Sequence, residues 1–422
     1  MTLFSQCALL FTDYSSAVAQ ESTPSTAIIA FDEELNEAGR DALLASHHAE
    51  LVQWIPELNM AQVRILDAST AESSGQVHAA FTNRAALLAQ LETHSAIDFI
   101  EDNRAVQGTY LPNDPAFAQA SQSYAQDLLQ LEAAWEYTTG STDVVIAVLD
   151  TGINSSHPEF TGQIVPGYNF VSGNYDTNDD NGHGTHVAGI IGARMDNYQG
   201  GAGVCPRCKI MPVKVLDEFN IGLWSVIVQG IVFATDEGAQ IINLSLGSGE
   251  QSVAVQRAVE YAQERGVLLV AAAGNSRSQD YFYPAAYSGV LSVAATDNND
   301  REWGLSNRGN FIDIAAPGYL IYSTSRGDSP YHYMTGTSMA TPFVTGLAGL
   351  LLSQSPQRTS TDLTELILYS ATDLGELGWD PIFGFGRIDA LAALENAQST
   401  TIEPSAQDDS NITSIFIPFA SR

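Results

Sequence analysis

The apolar positions of this chain come mostly in short, nearly unbroken runs separated by longer segments of mixed polarity. Asp143 to Leu149, Ile210 to Leu216, Ile241 to Leu246, Val267 to Ala273 and Leu291 to Ala295 are such runs. A run of this length and uniformity reads as a strand buried on both faces. Between them lie stretches that suit helices, among them Ser252 to Arg265 and Ser338 to Leu352. Strands alternating with helices predict an α/β, doubly wound domain with a mostly parallel sheet, placed over residues 112–397. Ligands of such sheets gather at the carboxyl ends of the strands, where Asp150 and Asn275 stand.

Residues 26–108 have a different pattern. Ala27-Ile28-Ile29-Ala30-Phe31 reads as a strand, Leu35 to His47 as a helix, and Ala61 to Leu66 alternates like a strand. Arg84 to Thr93 is helical and Ile97 to Glu101 is a final strand, with room for one more strand between Leu51 and Gln76. The order predicts a small α+β sandwich of ferredoxin-like type. Before it, Leu3 to Phe11 is a short apolar run followed by Ala17-Val18-Ala19, so residues 1–20 read as a truncated signal peptide lacking its basic start. After Ala397 the chain turns polar and acidic, then ends in Ile415-Phe416-Ile417-Pro418-Phe419. Residues 398–422 read as a flexible linker with a short apolar tail.

Charge narrows the partners. The formal net charge is −32, and Lys209 and Lys214 are the only lysines. Such a chain repels nucleic acid and anionic membranes, and no stretch is long and apolar enough to span a membrane. Cys7 lies in the leader. Cys205 and Cys208 form a C-x-x-C pair in a Gly/Pro-rich loop. A zinc site needs more ligands than this pair offers, and a redox motif prefers a helix N-terminus. A small disulfide in an oxidising compartment is the expected state.

Three short segments carry the chemistry. Val148-Leu149-Asp150-Thr151-Gly152 ends a buried strand. Gly182-His183-Gly184-Thr185-His186 precedes a helix-like run from Val187 to Arg194. Gly336-Thr337-Ser338-Met339-Ala340-Thr341-Pro342 opens an apolar helix. Together they offer a carboxylate, an imidazole and a hydroxyl in the order Asp, His, Ser. A hydroxyl becomes a useful nucleophile only when a base takes its proton, and a carboxylate can hold that base in the right tautomer. His183 and His186, at i and i+3, could also be a metal pair, but no third ligand accompanies them. The other histidines, His332 included, fit no motif.

These segments resemble those of subtilisin-like serine proteases, most nearly the thermitase-like branch, over about Pro112 to Ala397. The resemblance implies Asp150, His183 and Ser338 as catalytic triad and Asn275 as oxyanion donor. It implies a substrate cleft walled by Ser245-Leu246-Gly247 and by Ala272-Ala273-Gly274, with Ile221-Gly222 as the facing edge. Phe282 falls at the base of the main pocket, where many relatives have a small or polar residue. It implies structural calcium at Asp114, Glu159, Asp196 and Asn197, with Glu159 standing where relatives have aspartate. A second calcium site would take Asp176, Asp179 and Asp180. It further implies that residues 26–108 are an inhibitory propeptide of a secreted, self-processing and monomeric proenzyme, with broad activity on proteins and peptides. A narrow processing protease and an inert binding protein on the same fold are the alternatives.

Overall fold

The computed structural model describes residues 26–32, 35–47, 49–65, 91, 93–103, 111–327 and 329–399. They fall into two compact units that divide between residues 108 and 109.

The first unit contains strands β1 (Thr26–Phe31), β2 (Ala49–Ile55), β3 (Met60–Ile65) and β4 (Ile97–Asp102). They form one sheet in the order β2-β3-β1-β4, with antiparallel pairings throughout. This is a ferredoxin-like strand order. The extra strand expected after Leu51 is β2, which starts slightly earlier. The helix Glu37–Ser46 is capped by Asn36, whose side chain accepts from Gly39 N at 2.9 Å. It packs Leu43 and Leu44 on Ile29, Phe31 and Val63. Most of the expected 84–93 helix lies outside the described residues, as do the 1–20 leader and the tail from residue 400.

The second unit is built on strands β5 (Val145–Asp150), β6 (Tyr168–Asn169), β7 (Lys209–Lys214), β8 (Ile241–Leu244), β9 (Leu268–Ala272), β10 (Val290–Thr296) and β11 (Ile314–Pro317). The sheet order is β11-β10-β9-β8-β5-β7-β6, and every pairing is parallel. The chain begins in the middle at β5, builds one side, then crosses over and builds the other from β8. The switch point therefore lies between β5 and β8, where a crevice opens above the strand ends.

Alternate residues of each strand feed different cores. In β5, Ile146 and Val148 pack with the helices His183–Gly192, Thr337–Gln354, Ser360–Tyr369 and Ala390–Ser399. Ala147 and Leu149 face the helices Trp224–Asp236 and Val253–Gln263 on the other side. Each fully buried side chain of the size of Val148 or Leu149 contributes roughly 1.5–3 kcal/mol, so both layers are held firmly against the strand that ends in Asp150. A hairpin, β12 (Ile321–Thr324) with β13 (Tyr331–Met334), was not anticipated from the sequence. No helix among the described residues is long and apolar enough to cross a membrane.

Candidate active site

Asp150 is the last residue of β5 and is fully buried. His183 is the first residue of its helix, four residues earlier than the run from Val187 suggested. Its Nδ1 lies 2.8 Å from Asp150 Oδ1 and 3.0 Å from Oδ2. The close approach of strand end and helix depends on Gly184. A methyl group there would sit 2.2 Å from the Gly152 carbonyl oxygen and 3.0 Å from Asp150 Cβ. Burial alone would lower the His183 pKa, but the charge and hydrogen bond of Asp150, with the charge of Asp179, outweigh it and hold the imidazole above its ordinary value. The ring is thus set as a proton acceptor with Nδ1 committed to the carboxylate.

Ser338 stands in the first turn of the Thr337–Gln354 helix and is half-buried. In this resting arrangement its hydroxyl donates to the Ser245 carbonyl at 3.2 Å, and no hydrogen bond joins it to the His183 ring among the described residues. Such bonds are often long or absent before substrate binds. Asn275 follows the end of β9 and is exposed. Its Oδ1 accepts from Thr337 N and from Thr337 Oγ1, both at 2.9 Å. That fixes the amide with its donor nitrogen turned away from Thr337.

A cleft of about 510 Å³ runs over these strand ends. Of the expected lining residues, Ile221, Gly222, Ser245, Leu246, Gly247, Ala272, Gly274 and Phe282 border it, together with Asn275 and Ser338. Ala273 does not: it is fully buried, while its neighbour Ala272 faces the cleft. Adjacent strand residues point to opposite faces, so only one of the two can do so. Leu216, Leu223, Ile227 and Thr337 also border the cleft and were missed. As apolar residues of a strand end and a helix start, the first three read as core. Phe282 is carried inward by a bridge in which Ser248 N donates to Tyr283 O and Tyr283 N to Ser248 O, each at 2.8 Å. Its ring touches both walls. A methyl group on Gly247 would lie 2.4 Å from Phe282 Cε1, and one on Gly274 would lie 3.0 Å from Phe282 Cγ.

The acidic positions divide into two outcomes. Asp114, Glu159, Asp196 and Asn197 are linked by hydrogen bonds without their three carboxylates converging on one point. Asp114 accepts from Asp196 N at 2.9 Å and from Asn197 N at 3.1 Å. Asp196 accepts from Asn113 N, and Glu159 accepts from Asn197 Nδ2 at 2.6 Å and from the Tyr331 hydroxyl at 2.8 Å. Asp114 is 2% exposed and Glu159 not at all. Burial pushes the Glu159 pKa up to about 7 and raises that of Asp114, each worsened by a neighbouring carboxylate. Two buried carboxylates served by neutral donors are the chemistry a hard cation neutralises. Among the described residues no group of three His, Cys, Asp or Glu is gathered for a metal, so amide and backbone oxygens would complete such a set.

Asp176, Asp179 and Asp180 are not brought together as a ligand set. Asp176 caps its own loop, accepting from Asn178 N. Asp179 is spent on five donors: Thr151 Oγ1, Asn181 N, Gly182 N, Thr185 N and Thr185 Oγ1. It secures the start of the His183 helix, whose N-terminal Gly182 has no side chain to do so. Asp180 pairs with Lys214 Nζ at 2.7 Å. His186 is no metal partner of His183 either. Its Nε2 lies 3.0 Å from the Ile321 carbonyl and 3.2 Å from that of His332, and burial lowers its pKa to about 3. Cys205 and Cys208 are bonded to each other, packed between Gly140 and Gly349.

The Subtilase family model, Peptidase_S8, matches residues 141–386. The thermophilic serine proteinase of Bacillus sp. (strain AK1) is 40% identical over 312 residues, covering 74% of this chain and 76% of that protein. Thermitase of Thermoactinomyces vulgaris is 41% identical over 286 residues, covering 68% of this chain and all of that one. Among solved structures, a protease of Pseudoalteromonas arctica PAMC 21717 superposes with a TM-score of 0.63 at 32% identity, over 68% of this chain and 100% of that chain.

Proposed function

Because the chain belongs to the subtilase family of serine endopeptidases, we propose that Asp150, His183 and Ser338 are its catalytic triad and that it cuts proteins broadly, preferring a small residue on the acyl side of the bond. The Asp150–His183 contact at 2.8 Å is the observation that carries the triad. To react, the Ser338 hydroxyl turns from the Ser245 carbonyl to His183 Nε2. Its oxygen attacks the peptide carbonyl as the proton passes to that nitrogen, while Asp150 holds Nδ1–H and stabilises the imidazolium. Asn275 Nδ2 and the backbone N–H of Ser338, at the positive end of its helix, receive the oxyanion. The intermediate collapses, His183 gives the proton to the departing amine, and water then hydrolyses the acyl-enzyme by the same steps. Residues 26–108 are the inhibitory propeptide of an exported proenzyme.

Phe282 supports the preference for small residues. Its ring fills the slot between Gly247 and Gly274, where the side chain next to the cleaved bond would go. Digestion of an unbiased peptide mixture is expected to give many cleavages, mostly after Ala, Ser or similarly small residues. Phe282→Gly is expected to raise kcat/KM for Phe and Leu substrates about 10- to 100-fold relative to Ala, since each methylene accommodated is worth roughly 1–3 kcal/mol. Wild-type enzyme already favouring Phe over Ala would reject the size limit, and cleavage at one sequence only would favour a narrow processing protease.

Asp114, Glu159, Asp196 and Asn197 would hold a calcium ion, which supplies charge neutralisation and ties the loop after the His183 helix to the segment before residue 116. Excess calcium is expected to raise Tm by several degrees and a chelator to lower it, because a ligand that binds only the folded state stabilises by mass action. In Asp114→Asn that calcium response should be much reduced. A wild-type Tm indifferent to calcium would remove the site.

A further inference from the structure

The nucleophile is tied to the sheet by a buried polar relay that the mechanism above does not use. β8 lies in the middle of the sheet, paired on both sides with β5 and β9. Its residue Asn243 is fully buried in a strand whose other positions are apolar. Asn243 Oδ1 accepts from the Thr345 hydroxyl at 2.8 Å, and Asn243 Nδ2 donates to Ser245 Oγ at 3.0 Å. Ser245 Oγ in turn donates to the backbone carbonyl of Ser338 at 2.9 Å, while the Ser338 hydroxyl donates back to the Ser245 carbonyl. Thr345 is fully buried and Ser245 is 3% exposed.

Thr345 follows Ser338 by seven residues, about two helical turns, so both lie on the helix face turned to β8. The relay leaves the helix at Thr345, crosses the strand through Asn243 and returns to the helix at Ser338. Two directional attachments on one helix fix its height and its rotation together. Apolar packing alone fixes neither so sharply, because it is non-directional, and the helix here carries small residues such as Gly346 and Gly349 against its neighbours. Buried networks with every member satisfied rigidify what they join.

We propose that Asn243 is a positioning residue for the Ser338 nucleophile, acting through the hydroxyl of Ser245. The proposal rests on the reading of Ser338 as nucleophile. A misplacement of about 1 Å at a reacting atom can cost roughly 100-fold in rate, and a small shift of the Ser338 carbonyl moves its Oγ directly. Asn243→Ala leaves no orphaned donor, since the Thr345 hydroxyl also lies 3.1 Å from the Thr341 carbonyl.

The test is steady-state hydrolysis of a chromogenic peptide by the full chain after its natural processing, with Tm measured alongside. Asn243→Ala is expected to lower kcat about 10- to 100-fold with KM within about threefold. Ser245→Ala should lose at least as much, and the double variant should fall no further than about twofold below Ser245→Ala. Losses that multiply in the double variant, or an Asn243→Ala enzyme with lowered Tm but kcat within twofold of wild type, overturn the proposal. If Asn243→Ala does not fold, Thr345→Val decides. That isosteric change removes the hydroxyl that orients Asn243, and unchanged kcat there is equally fatal. Ser338→Ala in the same assay keeps the two readings apart, because residual full activity would refute the nucleophile itself, whatever Asn243 does.

Discussion

Ser338→Ala is expected to lower kcat for peptide hydrolysis by roughly four to six orders of magnitude, with KM nearly unchanged. The nucleophile makes its bond only in the transition state, so its removal spares ground-state binding. What remains comes from the Asn275 amide, the helix N-terminus and the cleft, which still hold and polarise the carbonyl for attack by water. His183→Ala should cost a comparable factor, and the double variant should be no worse than either alone. A base without its nucleophile, or the reverse, accomplishes little. Multiplying losses would show that the two do not work as a unit. The same variant reads out processing. Intact mass and N-terminal sequencing of chain recovered from the culture medium should show wild type beginning between about residues 107 and 112, and Ser338→Ala retaining the first unit. Equal processing of both would assign the cut to another protease and leave the hydrolysis assay as the test of Ser338.

Asn275→Ala should reduce kcat about 100- to 1000-fold while KM changes little. The reason lies in how the amide is held. Thr337 occupies Oδ1 twice, through its N–H and its hydroxyl, so Nδ2 meets the cleft without a conformational search. A donor fixed in advance favours the charged oxyanion far more than the neutral carbonyl from which it forms. The effect therefore appears in kcat and not in binding. A rise in KM at constant kcat would place Asn275 in ground-state recognition instead. Thr337→Val, which removes one of the two restraints, is expected to show a smaller loss of the same kind.

The roles expected at this site came from the resemblance to subtilisin-like proteases, but the places of its residues could be read from the sequence because they sit where rigid elements end. Asp150 closes an unbroken apolar strand, Asn275 follows another, and Ser338 opens a long apolar helix. In each case the local pattern places the backbone to within a residue or two. What escaped depended on direction and distance. Ala272 and Ala273 are indistinguishable as letters, and only the pleat decides which one faces the cleft. Asp179 looked like a cation ligand because acidity is visible in a sequence, whereas five converging donors are not. Asn243 and Thr345 lie 102 residues apart, so nothing local announces that they meet. Leu216 and Ile227 looked like core residues, as apolar side chains at a strand end and a helix start usually are. The hairpin β12–β13 was missed for the opposite reason: Tyr331-His332-Tyr333 is too short and too polar to stand out as a strand.

The helix that begins with Thr337 is buried along almost its whole length. It can take its place only after the sheet strands on either side of it exist. Asp150 and His183 leave the ribosome early, but Ser338 follows His183 by a further 155 residues. At about 5–20 residues per second that is roughly ten to thirty seconds of synthesis. Throughout that interval the nascent chain lacks the serine that the proposed mechanism uses as nucleophile. On the proposed mechanism, a growing polypeptide therefore has no means of cutting its own unfolded segments until the last large buried element is delivered and the fold is nearly closed.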